Sequence, residues 1–486
     1  MLRRLPITSF SRLALVLAAL VGLAALREQA CHAAIRFTGV NLAGAEFGVS
    51  NGNVNLPGTY GSHYTYPTAA EASYFVGKGM NTFRVPFRWE RLQRSQFTAL
   101  HGEGPGPTGE LDRMDTFVTA ATNLGAYVIL EPHNFQRYFP DTNNFQSSSQ
   151  GLVGSSVPDS AYADFWGKVA NHYKDNERVI FNLMNEPNSM PTSQLVTSHN
   201  AAIQAIRSAG AKNLILVPGN QWTGAWAWNE TWYQGANAVH MLNVVDAGNN
   251  YAFDMHQYLD SDRSGGHDTI ANDDVNRGVS QLTAATQWLK ANGLRGFLGE
   301  FAVANTSIGS GTYVSTSDLV AHPQIGDEVI HNMLDYMEAN DDAWLGWAWW
   351  AAGPWWGNYM FTLEPTNLGQ PSQADRAAMA VLQPYFADDL PGDFNFDGTV
   401  DAADYTVWRD SFGQTGAGLD ADNNVDGIVD ELDYAAWKAS FGQSLAGAGS
   451  AASAAVPEPA ALVLVAISSL ALGASARRRS PSRRRR

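Results

Sequence analysis

The chain contains 486 residues, of which 45% are hydrophobic, and it carries a formal net charge of −16. An acidic surface repels the phosphate backbone of nucleic acid, so the charge balance argues against nucleic acid as a partner. The single cysteine, Cys31, excludes an intrachain disulfide, and stability must therefore come from a large apolar core, from bound metal or from both.

The first 33 residues have the composition of a secretory signal peptide. Arg3 and Arg12 precede the apolar stretch 13–26, and small residues surround Ala33. An apolar stretch of this length is too short for a comfortable membrane span but suits a cleaved leader. The sequence therefore predicts an exported protein whose mature chain begins near residue 34.

Between residues 35 and 388, short apolar runs alternate with longer segments of helical periodicity. Amphipathic segments such as 161–175 and 280–293 predict helices. The eight runs predicted as strands are 36–42, 80–86, 127–132, 178–184, 213–218, 251–256, 295–300 and 344–350. This alternation favours an α/β fold, a (β/α)8 TIM barrel. A doubly wound open sheet is the alternative, although no glycine-rich phosphate loop follows the first strand.

A carboxylate lies at the end of two predicted strands. Glu186 follows the fourth strand in "FNLMNEPN", and Glu300 ends the seventh in "GFLGEF". Chemistry in a TIM barrel takes place at the carboxyl ends of the strands, so both side chains should meet at one rim. Paired acids are the minimum requirement for retaining glycoside hydrolysis, with Glu186 as general acid/base and Glu300 as nucleophile. Either residue alone could instead cap a helix.

Other polar side chains lie at the ends of the same strands. They are Arg84, His133, Asn134, Asn185, His256 and Tyr258. A guanidinium near Glu300 would favour the ionised carboxylate, and a tyrosine hydroxyl could donate a hydrogen bond to it. Asn185 could bind the sugar 2-hydroxyl, a contact that strengthens at the transition state. Each residue alone has a structural explanation, such as an ion pair or an interior histidine, and it is their coincidence at one rim that favours a site.

Tryptophan is concentrated in two parts of the predicted barrel. Ten of the fifteen tryptophans lie between residues 222 and 232 or between residues 344 and 356. Some of them must belong to the core. Flat aromatic faces also pack against the apolar faces of pyranose rings, so the clusters predict a groove for a polysaccharide.

Six segments together resemble glycoside hydrolase family 5, and within it the endo-β-1,4-glucanases. They are "GVNLAGAEFG" (39–48), "NTFRVPFRWERL" (81–92), "FNLMNEPN" (181–188), "DMHQYLDSD" (254–262), "GFLGEF" (296–301) and "WWAAGPWWGNY" (349–359). The resemblance implies a TIM barrel that hydrolyses a β-1,4-glucan with retention and needs no cofactor for catalysis. It also implies eight active-site residues, which match Arg84, His133, Asn185, Glu186, His256, Tyr258, Glu300 and either Trp349 or Trp350.

Two alternatives to a glucanase remain at this point. Another β-glycanase of the same family, such as a mannanase or a xyloglucanase, would use the same residues. A non-catalytic glycan-binding protein on the same barrel would have no need of both Glu186 and Glu300.

Residues 392–443 contain one 12-residue pattern twice, 29 positions apart. The copies are "DFNFDGTVDAAD" (393–404, here acidic loop 1) and "DNNVDGIVDELD" (422–433, acidic loop 2), and a short helical pattern follows each. Oxygen side chains at positions 1, 3, 5, 9 and 12, with glycine at position 6, suit Ca²⁺. The predicted calcium ligands are Asp393, Asn395, Asp397, Asp401, Asp404, Asp422, Asn424, Asp426, Asp430 and Asp433.

The duplicated loops resemble a type I dockerin, which implies a small all-α, calcium-binding module and a cohesin-bearing partner protein. Ala402-Ala403 and Glu431-Leu432 occupy positions where that family often carries Ser or Thr for recognition. A calcium-stabilised module without a cohesin partner is therefore the alternative. Such a small module buries little apolar surface and should need the metal to fold, whereas the barrel is expected not to depend on it.

An Ala/Gly/Ser linker, residues 444–455, leads to a distinctive end at residues 456–486. Pro457-Glu458-Pro459 precedes the apolar run 460–472, and arginines end the chain. This arrangement resembles the bacterial PEP-CTERM sorting signal, which implies a sorting protease and an extracellular or cell-surface location. A retained membrane anchor is the alternative.

Overall fold

The computed structural model of the protein describes residues 35–50, 53–102, 109–139, 150–309, 312–314, 321–387, 390–395 and 399–444. The predicted signal peptide, the sorting signal and nearly all of the linker lie outside these residues, as does Asp397. No helix within the described ranges is long and apolar enough to cross a membrane.

Eight parallel strands form a closed barrel, as the sequence predicted. They are β1 (Phe37–Leu42), β2 (Thr82–Phe87), β3 (Tyr127–Pro132), β4 (Val179–Asn182), β5 (Ile215–Pro218), β6 (Tyr251–His256), β7 (Gly296–Phe301) and β8 (Trp344–Ala352). Each strand pairs with its successor, and β8 closes the barrel against β1. Because all strands run in the same direction, their carboxyl ends lie on one face.

Helices between the strands cover the outside of the barrel, and among the described residues three more α-helices follow the last strand in the sequence. Those of the described residues are α1 (Ala69–Lys78), α2 (Trp89–Leu92), α3 (Glu110–Thr122), α4 (Asp159–Tyr173), α5 (Thr192–Ser208), α6 (Asn237–His240), α7 (Arg277–Asn292), α8 (Gly326–Glu338), α9 (Ala377–Leu382), α10 (Ala402–Ser411) and α11 (Glu431–Ser440). Local sequence defines their ends: α1 begins with a capping box between Thr68 and Glu71 and stops at Gly79, whose φ is 108°. The β5–β6 connection is the exception to regular alternation, since it contains only the short α6 and 3₁₀ turns.

Helix α4 fixes the backbone that leads into the first predicted catalytic residue. The indole Nε1 of Trp166 and the hydroxyl of Tyr162 both donate to the carbonyl oxygen of Leu183, at 3.1 and 2.5 Å. Both side chains are fully buried, so these bonds are shielded from water. They therefore hold the chain in place three residues before Glu186.

Two short helices, α10 and α11, follow the acidic loops. Asp401 and Asp430 cap them, each accepting a hydrogen bond from the backbone N–H two residues later. The indole of Trp408 donates to the carbonyl of Asp430 at 2.8 Å, and the indole of Trp437 donates to the carbonyl of Asp401 at 2.7 Å. The sequence repeat is thus matched by a reciprocal exchange of contacts between the two copies.

Acidic loop 2 packs against the amino-terminal face of the barrel, away from the carboxyl rim. Val425 is 4% exposed and packs within an apolar cluster of barrel residues. The barrel members of this cluster are Phe37, Tyr127, Ile129, Ile180, Leu214, Leu216, Ala252, Phe297, Leu345 and Ala348. Acidic loop 2 therefore makes an apolar contact with the barrel through this residue.

Polar contacts surround Val425 at the same interface. Asn250 donates to the carbonyl oxygen of Val425 at 3.0 Å, and Lys212 Nζ lies 2.6 Å from Asp426 Oδ2. Further contacts from the barrel are made by Arg36, which donates to the carbonyl of Asn423 at 3.0 Å, and Arg295, which donates to that of Gly418 at 3.1 Å.

Candidate active site

Glu186 and Glu300 meet at the carboxyl rim of the barrel. Glu300 belongs to β7, whereas Glu186 lies in the loop after β4 with a φ of 38°, a left-handed value that is costly for glutamate. One oxygen of each carboxylate lies within 4.8 Å of the other. His256 Nδ1 lies 2.9 Å from Glu186 Oε1 and 3.5 Å from Glu300 Oε2. The structure therefore brings together the two acids that the sequence singled out.

The two carboxyl groups have different surroundings. Glu300 accepts hydrogen bonds from Arg84 Nη1 at 2.8 Å and from the Tyr258 hydroxyl at 2.7 Å, one on each oxygen. Donors of this kind stabilise the charge of a carboxylate. Burial raises the pKa of Glu186, although the hydrogen bond from His256 opposes the increase. Glu300 is thus suited to react as an anion and Glu186 to carry a proton.

Arg84 lies beneath the site and donates hydrogen bonds to two of its residues. Its side chain is fully buried on β2, and its Nη2 donates to Asn185 Oδ1 at 2.9 Å while Nη1 binds Glu300. Burial alone would lower the pKa of the guanidinium, but the carboxylates of Glu131, Glu300 and Asp254 outweigh burial and raise it. Arg84 therefore remains a cation beneath the two acids.

His256 is held as an imidazolium. Burial alone would lower its pKa, but Glu300, Asp254 and Glu186 raise it to about 10. Its Nε2 lies 3.4 Å from Asp254 Oδ2, a carboxylate that also accepts from Asn182 Nδ2 at 2.8 Å. With protons on both ring nitrogens, His256 donates to Glu186 and offers no lone pair to a metal ion.

His133 has the opposite character. Burial lowers the pKa of its imidazole well below the usual range, so the ring is neutral. Its Nδ1 lies 3.0 Å from Glu131 Oε2, and its Nε2 lies 3.2 Å from Asn185 Nδ2. Trp350 stacks against the ring at a centroid distance of 5.6 Å and an interplanar angle of 20°. His133 therefore links the asparagine beside Glu186 to an aromatic surface on β8.

The structure separates the two candidate tryptophans of β8. Trp349 is fully buried, and its indole donates to the carbonyl of Phe361 at 2.8 Å. Trp350 is partly exposed, stacks on His133 and lies edge-on to Trp356 at 6.0 Å. Trp350 is accordingly the one that can present a face to a sugar.

Asn134 does not point toward the site. It is fully buried, its Nδ2 donates to the Glu90 carboxylate at 2.8 and 2.9 Å, and its Oδ1 accepts from the backbone N–H of Trp89 at 3.0 Å. All of these contacts go to α2. Asn134 thus holds that helix against β3, and no polar atom of its side chain is left for the substrate contact predicted from the sequence.

Two acidic residues of the site were missed by the sequence analysis. Glu131 lies two positions before His133 on β3, and Asp254 lies two positions before His256 on β6. Residues i and i+2 of a strand share a face, so an acid at that spacing from a rim histidine lies beneath it. This spacing is the signal that could have identified both.

A cleft lies beside Glu186. A cavity of about 380 Å³ is lined by Glu186 together with Trp222, Trp226 and Tyr258, among others. The Arg263 guanidinium lies 4.2 Å from the ring centroid of Trp226, a cation–π contact that fixes the indole plane. The cleft therefore provides aromatic surface on the side of the proton-carrying acid.

Acidic loop 2 is the predicted metal site whose ligands are all described. The Asp422 carboxylate accepts backbone hydrogen bonds from Asp426 and Gly427, at 3.1 and 2.8 Å. Burial, with nearby aspartates acting in the same direction, raises the pKa of Asp422 to about 7 and that of Asp433 to about 6. Among the described residues, no three carboxylates of acidic loop 2 bring oxygens within 4.8 Å of one another, so the calcium site stays a prediction from the ligand pattern. In acidic loop 1, Asp397 lies outside the described residues.

A parallel eight-stranded barrel with two carboxylates paired at its carboxyl rim has the equipment of a glycoside hydrolase. The family model "Cellulase (glycosyl hydrolase family 5)" matches residues 40–353. The chain belongs to glycoside hydrolase family 5 and is an enzyme of the cellulase class.

Known relatives agree with this assignment. The chain is 39% identical over 329 residues to the probable endo-beta-1,4-glucanase B of Aspergillus niger, which covers 68% of this chain and 85% of that one. The structure of XacCel5A in complex with cellopentaose is similar at a TM-score of 0.61 and 41% identity, covering 72% of this chain and 99% of that one. Endoglucanase Cel5A of Pseudomonas stutzeri in complex with cellobiose is similar at a TM-score of 0.58 and 29% identity, covering 73% and 93%.

Proposed function

We propose that the protein is an exported endo-β-1,4-glucanase that cleaves internal bonds of cellulose or related β-glucans with retention of configuration. The spacing of Glu186 and Glu300 carries this proposal. Retaining enzymes hold their two carboxyl groups about 5–5.5 Å apart, and inverting enzymes hold them about 6.5–9.5 Å apart to admit a water. Oxygens within 4.8 Å of one another support the retaining arrangement.

The first half of the reaction forms a covalent intermediate. A Glu300 oxygen attacks the anomeric carbon while Glu186 gives its proton to the glycosidic oxygen, so the bond between that carbon and that oxygen breaks and the leaving chain departs. Arg84 and Tyr258 hold the attacking carboxylate in position. Asn185 Nδ2, which uses one hydrogen on His133, offers its second hydrogen to the sugar 2-hydroxyl.

The second half of the reaction hydrolyses that ester. Glu186, now a carboxylate, removes a proton from water, the water oxygen attacks the anomeric carbon, and Glu300 leaves as a carboxylate. His256, protonated on both nitrogens, donates to Glu186 in its charged form and so stabilises the intermediate state of the acid/base residue. Two inversions at one carbon give net retention.

The aromatic surfaces suggest how a glucan chain lies in the site. The general acid protonates the leaving oxygen, so the cavity beside Glu186, with Trp222 and Trp226, would receive the leaving-group end of the chain. Trp350 would support the sugar whose bond is cleaved, because it stacks on His133 next to Asn185.

A panel of polysaccharides with product sizing tests the substrate. Carboxymethylcellulose should be cleaved faster than mannan or xyloglucan, with a rapid fall in polymer length that marks internal attack. Trp350→Ala should lower kcat/KM on carboxymethylcellulose about tenfold or more, since the aromatic surface is lost. Trp355→Ala, just after β8 and 41% exposed, is the matched control and should change it less than about twofold. Faster cleavage of mannan or xyloglucan would instead identify one of those enzymes.

The C-terminal helices are proposed to form a dockerin-like module that binds Ca²⁺ through both acidic loops. The duplicated ligand pattern of the two acidic loops supports this function. Bound Ca²⁺ would supply charge to these oxygens and so stabilise the loops. A cohesin-bearing protein is the partner that the resemblance implies, and a purely structural calcium module remains the second candidate because of the residues at 402–403 and 431–432.

We also propose that the protein is exported, that its signal peptide and its C-terminal sorting signal are removed, and that the mature enzyme is extracellular or attached to a bacterial cell surface. Mass spectrometry of protein exported by its native host should show loss of residues 1–33 and loss of the residues beyond Pro457-Glu458-Pro459. Protein made in a cytoplasm without its signal peptide is the control and should keep its C-terminus. Detection of Arg486 on most of the exported protein would favour a retained anchor over a sorting signal.

A further inference from the structure

We propose that Glu131 is a positioning residue that fixes the tautomer of His133 and, through it, the direction of the Asn185 amide at the reacting sugar. The inference rests on the proposed glucanase mechanism, in which that amide binds the 2-hydroxyl. No other role in that mechanism uses Glu131, although it is a fully buried acid within the site.

The contacts of Glu131 determine which nitrogen of His133 carries the proton. Its Oε2 lies 3.0 Å from His133 Nδ1 and 3.5 Å from Arg84 Nη2, while Oε1 has no hydrogen-bond partner among the described residues. Burial raises the pKa of Glu131 to about 7, although the charge of Arg84 opposes the increase, so the group is a carboxylate above that pH. A carboxylate only accepts, so the neutral imidazole then carries its hydrogen on Nδ1. The Nε2 lone pair then faces Asn185.

The tautomer in turn determines the direction of the Asn185 amide. With a lone pair on Nε2, His133 accepts from Asn185 Nδ2 at 3.2 Å, and Arg84 Nη2 donates to Asn185 Oδ1 at 2.9 Å. The reversed amide would place Oδ1 against the lone pair and Nδ2 against the guanidinium, with both contacts repulsive. The backbone N–H of Asn185 is already held by the carbonyl of Pro132 at 3.0 Å, so rotation of the amide is the remaining freedom.

Without the negative charge of Glu131, the tautomer of His133 is no longer fixed, and the Asn185 amide loses one of the two contacts that set its direction. An amide in place of the carboxylate can turn its NH₂ toward Nδ1, which makes Nε2 the protonated nitrogen. The Nε2–H of His133 and the Nδ2–H of Asn185 would then be two donors that face each other and repel. The Asn185 amide would be favoured in its reversed direction, with Oδ1 toward His133. The 2-hydroxyl would meet an acceptor in place of a donor.

Nuclear magnetic resonance of ¹⁵N-histidine-labelled enzyme tests the first link without any substrate. In the wild type, at a pH above the pKa of Glu131, His133 should show a protonated Nδ1 and an unprotonated Nε2, with the signal assigned from a His133→Ala sample. Glu131→Gln should increase the Nε2-protonated form, and Glu131→Asp, which keeps the carboxylate, should restore the original form at least in part. An unchanged tautomer in folded Glu131→Gln overturns the proposal.

A matched variant separates this effect from the loss of any buried charge. Asp254 is also a fully buried carboxylate near Arg84 Nη2, at 3.9 Å, but it contacts His256 and not His133. Asp254→Asn should therefore leave the His133 tautomer as it is in the wild type. A tautomer change equal to that of Glu131→Gln would show a general response to charge and would overturn the specific role of Glu131.

Kinetics with two aryl β-cellobiosides test the second link. One carries the 2-hydroxyl on the sugar whose bond is cleaved, and the other lacks it. Glu131→Gln should lower kcat about 10- to 100-fold on the first substrate and much less on the second, because the second cannot use the Asn185 contact. Equal losses on both overturn the proposal. A wild type inactive on both would reject the glucanase mechanism instead, while the spectra would still report the tautomer.

Discussion

Replacing Glu300 with glutamine should lower kcat/KM on every glucan substrate by on the order of 10⁴-fold or more, because an amide cannot form the glycosyl ester. The substitution preserves the shape of the side chain, and the oxygen that remains can still accept from Arg84 or Tyr258. Initial rates on carboxymethylcellulose and on an aryl β-cellobioside, with circular dichroism to verify folding, measure the effect. Substantial residual turnover in the folded variant would exclude Glu300 as the nucleophile.

Replacing Glu186 with glutamine should give a different profile. An aryl leaving group needs little protonation, so formation of the intermediate should be least affected with that substrate and most affected with cellulose. Because its pKa is raised, Glu186 keeps its proton to higher pH, and the fall of kcat/KM at alkaline pH should reflect the loss of that proton. With the aryl substrate, Glu186→Gln should not show this alkaline fall. An equal loss on both substrates would reject the acid/base assignment.

Replacing Val425 with aspartate should destabilise the whole enzyme, because this residue of acidic loop 2 is buried in the amino-terminal face of the barrel. A charge cannot remain there unpaired, so the loop should detach and expose neighbours such as Phe297 and Leu345. We expect the free energy of unfolding to fall by about 2–4 kcal/mol. Calorimetry should show a lower Tm, while glucanase activity at 25 °C should persist because the rim lies on the opposite face.

Val245→Asp is the matched control for this experiment, since Val245 is 67% exposed and its replacement should leave the Tm nearly unchanged. Chelation then tests the link to calcium. If acidic loop 2 binds Ca²⁺ only when folded, EDTA should lower the Tm of the wild type but not that of the barrel transition in Val425→Asp. A Tm of Val425→Asp equal to the wild-type value would show that the contact contributes little. If EDTA lowers the Tm equally in the wild type and in Val425→Asp, the effect of calcium does not depend on the packing of acidic loop 2 against the barrel.

The (β/α)8 barrel could be predicted because its determinants are local. Each strand is a short apolar run, and most long connections have helical periodicity, as in α4 and α7. Strand order then follows from the chain, since parallel strands joined by helices pair with their successors. The rim residues could be predicted for the same reason, because a residue at the carboxyl end of a barrel strand has its location fixed by the topology.

The partners of those rim residues depend on side-chain direction across different strands. Asn134 and His133 are adjacent in the sequence, yet Asn134 binds Glu90 of α2 and His133 binds Asn185. Trp349 and Trp350 are likewise adjacent, but one indole is buried and the other lies on His133. Neighbouring strand residues face opposite sides of the sheet, and only the closed barrel defines which side is the site.

By itself the sequence determined the barrel, the pairing of Glu186 with Glu300 and the duplicated acidic loops, because each is written in a periodic pattern or a fixed spacing. The tertiary structure decided the protonation of the two histidines and the place of acidic loop 2. Burial leaves His133 neutral, whereas Glu300, Asp254 and Glu186 together leave His256 charged. Val425 shares one apolar cluster with Phe37 of β1, Phe297 of β7 and Leu345 of β8, which lie far from it in the chain, and such a cluster exists only when distant segments fold against one another.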